Sequence, residues 1–142
     1  MAFTDLPPDW PSRPITDPAL LADVLDLVVS EQARVTGSLY LLLCDPGDRL
    51  VLPVEIGELA TAPAGSARAE MLAPIMRQAN EMAPDGGVLA AIARPGGLSV
   101  TADDLAWADT VADAARGRLR LLGVHVITLD GSRPVPADRR AA

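Results

Sequence analysis

Apolar and polar positions alternate along this chain in two rhythms. Leu20, Leu21, Val24, Leu25, Leu27 and Val28 recur at helical spacing after Asp17-Pro18, a capping side chain followed by proline at the first helical position. This predicts a helix over about 18–34, stopped by Gly37. Ser38 to Cys44 (SLYLLLC) is a nearly unbroken apolar run, the mark of a central strand. Asp45-Pro46-Gly47-Asp48 is a strong turn, and Arg49 to Ile56 returns as the second strand of a hairpin. Residues 57–66 read as loop. Met71, Leu72, Ile75, Met76 and Ala79 share one face of a helix over 68–82, with Pro74 inside it as a point where it could kink or split. After the turn Pro84-Asp85-Gly86-Gly87 comes a strand, Val88 to Ala93. Thr101 to about Leu122 reads as a long helix with Leu105, Ala108, Ala112, Ala115, Leu119 and Leu122 inward. Asp103 and Asp104 stand in its first turn and Arg116, Arg118 and Arg120 near its end, as the helix dipole favours. Gly123 is its expected stop. Val124 to Leu129 (VHVITL) is the last strand.

The order α-β-β-α-β-α-β predicts an α/β fold. A β-hairpin and two crossover units make a small mixed sheet of about four strands, flanked by helices. Residues 1–16, with Pro7, Pro8, Pro11 and Pro14, read as a Pro-rich arm carrying Trp10. Trp10 either stays mobile with the arm or pins it onto the domain or a second subunit. Residues 17–130 form a single α/β domain, and 131–142 read as a polar tail.

The composition narrows the classes. At 142 residues the chain suits one domain with a real core. Aromatics are only 3%, so the core must be built from Leu, Val, Ile and Ala. The net charge is −7 and no basic stripe exists, which excludes nucleic acid as a partner. Neither a secretory leader nor an apolar span of membrane length is seen, so the expected compartment is the cytoplasm, with no membrane partner. A single cysteine, Cys44, excludes an internal disulfide. No cofactor is expected, because G-x-S-x-G, P-loop, C-x-x-C and dinucleotide fingerprints are all missing from the sequence.

Ser38-Leu39-Tyr40-Leu41-Leu42-Leu43-Cys44-Asp45 with Arg49-Leu50, then Gly57, Arg68–Glu70 and Leu122-Gly123-Val124, resembles the JAB/MPN metalloprotease-like domain of RadC-type proteins over roughly residues 15–130. The resemblance implies a JAB/cytidine-deaminase-like topology. That family's signature is His-x-His-Pro followed by Ser-x-x-Asp, with zinc held by the two histidines and the aspartate. On this chain the histidine positions are Ile92 and Arg94. Pro95 and Gly97 keep the turn, and Thr101-Ala102-Asp103-Asp104 keeps the Ser-x-x-Asp shape. Zinc needs three protein ligands with nitrogen or sulfur prominent. Isoleucine and arginine supply neither, and the one histidine, His125, lies in another strand. The resemblance therefore implies a relative without metal and without peptidase or isopeptidase chemistry: a non-catalytic domain, not an enzyme, that acts by binding or assembly. The alternative is a GAF-like small-molecule sensor, similar in residues 19–54 and 87–115, which would end on a helix and carry a larger antiparallel sheet.

Candidate chemistry gathers at the mouth between 94 and 104. Arg94, Gly96, Gly97, Thr101 and Asp104 are the candidate ligand-binding residues. Glycines let a backbone approach a ligand, a helix start favours anions, and arginine forks onto carboxylate or phosphate. The leading reading is a turn closed by a surface Arg94–Asp104 salt bridge; if the mouth binds a ligand, a small anion is the expected one. Thr101-x-x-Asp104 has the shape of a capping box. Asp103 and Asp104 with Glu70 or Glu58 could instead draw a hard cation. His125 reads as a packed strand residue and Cys44 as a small core residue, with a Cys44–His125 dyad as their sharper reading. Edge strands and the arm invite a homodimer or another protein partner.

Overall fold

The structure, a computed structural model, describes residues 6–57 and 66–136. Five strands form one mixed sheet in the order β2-β1-β3-β4-β5. They are β1 (Ser38–Cys44), β2 (Leu50–Gly57), β3 (Gly87–Ala93), β4 (Arg120–Thr128) and β5 (Gly131–Pro134). β1 runs antiparallel to both neighbours, β3 and β4 are parallel, and β5 turns back against β4. The four expected strands share this sheet, and the last of them lies inside it. Helices α1 (Pro18–Val28) and α2 (Glu31–Thr36) cover one face; α3 (Ser66–Met82) and α4 (Ala102–Ala115) cover the other.

The two-residue period of the strands sorts the core. Tyr40, Leu42, Cys44, Leu89, Ala91 and Ile127 pack beneath α1. Leu39, Leu41, Val88, Ala90, Ile92 and Val124 pack beneath α3 and α4. β1 and β3 are buried on both faces, which is why they read as continuous apolar runs.

Several boundaries differ from expectation for physical reasons. The helix expected over 18–34 is two helices. Ser30 caps the second, its side chain accepting from the Ala33 amide at 3.1 Å. α3 continues through Pro74, which sits on its exposed side. α4 ends at Ala115 rather than Leu122, because Gly117 takes a left-handed φ of 75° and the chain turns directly into β4. Arg118 and Arg120 therefore lie outside the helix, and Gly123 is a strand residue. It sits where the β3–β4 register slips, with φ 153°, a conformation suited to glycine. The buried face of α4 is Asp104, Trp107, Val111, Ala114 and Ala115, while Leu105 is 42% exposed. The segment read as tail supplies β5 and buries Val135.

The arm is tied down at its inner end. Trp10 begins a short 3-10 turn and packs against the α1-side core. Ile15 is wholly buried, and its amide donates to the Asp48 carbonyl at 2.9 Å. No helix of the described residues is long and apolar enough to cross a membrane.

Candidate functional site

The 94–104 mouth is built by continuing β3 past its last paired residue. The Arg94 amide still donates to Ile127 of β4 at 3.1 Å, so its side chain projects on the α4 face, two residues beyond Ile92. There it meets the first turn of α4. Arg94 Nε donates to Asp104 Oδ1 at 2.9 Å and Nη2 to Oδ2 at 2.8 Å, a bidentate fork. Nη1 donates to the carbonyls of Pro95 at 3.1 Å and Gly97 at 2.9 Å, and Nη2 also to that of Ser99 at 3.0 Å. A guanidinium has five N–H donors, and all five are spent within the chain. Gly96, with φ 93°, lets the loop curl tightly enough to present those carbonyls.

Asp104 is 1% exposed. It completes a capping box: the Thr101 amide donates to its Oδ2 at 2.9 Å, and its own amide donates to Thr101 Oγ1 at 3.1 Å. Burial acts to raise its pKa. The Arg94 fork and the bonds to Thr101 outweigh that and hold the carboxyl below the ordinary carboxylate value. The same fork pushes the Arg94 guanidinium upward.

The structure thus brings Arg94, Gly97, Thr101 and Asp104 into one hydrogen-bonded unit, with Gly96 at its bend. The unit is a brace that closes on itself, and an anion would have to break it to reach the guanidinium. Asp103 is likewise engaged, with Arg68 Nη2 at 3.0 Å; that guanidinium also lies 4.2 Å from the centre of the Trp107 ring. Both carboxylates of the acidic pair therefore face arginines. Glu58 lies outside the described residues. Among those described, no group of three His, Cys, Asp or Glu side chains could hold a metal ion.

His125 and Cys44 do not meet. His125 pairs with Ala91, which pairs with Tyr40, while Cys44 lies four residues farther along β1. At ~3.3 Å per residue that is roughly 13 Å along the sheet, before the lateral offset is counted. Cys44 is buried, and its thiol is pushed up to about 12, chiefly by burial, with Asp48 and Asp45 adding to it. Iodoacetamide at pH 8 should therefore leave the native thiol unmodified over hours and label it promptly in urea, as read by intact mass. Native labelling at the rate of a free thiol would overturn this.

Sequence reasoning passed over a second concavity on the opposite face of the sheet. A cleft of about 310 Å³ lies between α1 and the β4–β5 edge, with Leu21, Ala22, Leu122, His125 and Ser132 among its walls. It was hidden because its far wall is β5. The available signal was Asp130-Gly131, a dipeptide suited to closing a hairpin. Here Thr128 pairs with Gly131 across Leu129 and Asp130.

Neither a family model, nor a curated protein, nor a solved structure matches the chain.

Proposed function

We propose that the chain is a non-catalytic, metal-free RadC/JAB-like domain of the cytoplasm that acts by binding or assembly. The observation that carries this reading is the Arg94–Asp104 fork. The resemblance gives these two positions to a zinc-binding histidine and the zinc-binding aspartate. Here a guanidinium neutralises the carboxylate instead, at 2.8 and 2.9 Å. Ile92, at the other histidine position, is buried among apolar neighbours. The polarised water that a metallopeptidase needs has no set of ligands to arise from at this mouth.

Topology supports the same reading over a GAF-like sensor. β4 lies within the sheet and parallel to β3, and the residues described after it form a strand, not a helix. A shallow apolar depression involving Val51, Leu52 and Met82, all exposed, supports a role in contact rather than chemistry.

Elemental analysis of the purified protein tests the proposal. Zinc well below one per chain is expected, together with no cleavage of peptide or isopeptide substrates. About one zinc per chain, lost in Asp104→Ala, would overturn it.

A further inference from the structure

We propose that the cleft between α1 and the β4–β5 edge is a binding site for a small, uncharged, mainly apolar molecule that exchanges a hydrogen bond with His125. The cleft lies on the other face of the sheet from Arg94, so it stands or falls separately from the function proposed above.

Size and lining set the ligand class. About 310 Å³ is at the lower end of small-molecule pockets. Leu21, Ala22 and Leu25 of α1 face Leu89 and Leu122 of the sheet across it. The polar side chains of the lining are few: Thr16, Ser132 and His125. Arg133 also borders the cleft, but its side chain belongs to the other face. It pairs with Val126, whereas Ser132 and Pro134 pair with Ile127 and His125, and its Nη1 reaches the Leu98 carbonyl at 3.4 Å. Among the described residues, no carboxylate lines the space. A charged ligand would lose its hydration there with nothing of opposite sign to replace it.

His125 supplies the specific contact. Its imidazole is half-buried and makes no hydrogen bond among the described residues. An imidazole that borders the cleft and bonds to no other side chain is available to a molecule seated there. Burial holds its pKa below the ordinary histidine value, so at neutral pH the ring offers one N–H donor and one bare nitrogen acceptor. That suits a hydroxyl or an amide. Gly123 lies beside the ring: a Cβ there would stand 3.6 Å from Nε2, in ordinary van der Waals contact.

The chain has one histidine, so its imidazole signals in the NMR spectrum are unambiguous. Phenol and cyclohexanol are the neutral probes and benzoate the anionic one, added to the full-length protein at pH 7.5. The expected result is a saturable shift of the His125 ring signal with at least one neutral probe, and binding of benzoate weaker by about tenfold or more. Leu21 and Leu122 methyl signals should follow the same titration. Ala22→Trp, which fills the cleft from α1, should abolish the response; Ser132→Phe fills it from the strand side should the first variant not fold. His125→Gln, followed by the methyl signals, should bind more weakly by about tenfold. The proposal is overturned if no probe gives a saturable shift, if benzoate binds as well as the neutral probes, or if filling the cleft leaves the titration unchanged.

Discussion

Arg94→Met is expected to destabilise the fold by about 3–5 kcal/mol at pH 7, the usual cost of stripping one partner from a buried ion pair. Asp104 is 1% exposed and the Arg94 side chain only 17%, so water cannot replace the lost guanidinium without opening the start of α4. Three loop carbonyls, those of Pro95, Gly97 and Ser99, lose their donor in the same substitution. Against a total stability of about 5–15 kcal/mol, the variant should unfold at markedly lower urea. The deficit carries a pH signature. In the wild type Asp104 titrates below its unfolded value, so its contribution is full above that value and is lost as pH falls toward the folded pKa. In Arg94→Met burial is no longer opposed by the fork, and protonating Asp104 relieves the variant. The gap between the two proteins should therefore begin to narrow above the ordinary carboxylate value of about 4 and go on narrowing as pH falls toward the lower wild-type value. A loss under about 1 kcal/mol at pH 7, or a gap that widens in acid, would show that the fork is not the brace described here.

Ile15→Ala is expected to cost about 2–5 kcal/mol, the range for truncating a fully buried aliphatic side chain. Ile15 is 0% exposed and packs with Leu20, Leu21 and Val24 of α1 and with the sheet beneath them. The hydrogen bond its amide donates to the Asp48 carbonyl and the bridge between Pro14 and Arg49 fix the chain across the β1–β2 turn. The residue thus closes the α1-side core at the hairpin end. Urea denaturation of the variant measures the effect. A change below about 1 kcal/mol would make the inner end of the arm peripheral, and the packing of Trp10 with it.

What could be read from sequence divides according to how local its cause was. β1 and β3 announce themselves because both of their faces are covered, so no polar residue interrupts them. The β1–β2 turn is likewise local: Asp45 accepts from the amides of Gly47 and Arg49 and from the Arg49 side chain. The capping box at Thr101 and Asp104 needs only four residues. The inward face of α4 differs from expectation because Asp104 is buried through a partner just beyond β3, and helical periodicity counts an aspartate as outward. Once Asp104 faces in, Trp107, Val111 and Ala114 follow at helical spacing and Leu105 turns out. β5 escaped because an edge strand with one side in solvent has no need of an apolar sequence. The cleft escaped with it, since a concavity between elements distant in the chain leaves no periodic trace.

The two outer strands bear on what can add to the edges of this sheet. β2 carries Pro53 midway along its length, and β5 is four residues ending in Pro134, with Pro136 just beyond. A proline can sit in a paired edge strand only where its missing N–H faces away from the ladder, so each one deletes a donor from the free side. A foreign strand approaching β2 meets a gap in the hydrogen-bonding row, and one approaching β5 finds too short a row to hold. For a chain 49% hydrophobic, with two largely apolar strands within its sheet, these gaps are gatekeepers against edge-to-edge pairing and fibril growth. They also bear on how two copies could associate: side-chain surfaces such as the one around Met82 remain available to a partner, while extension of the sheet is discouraged at both ends.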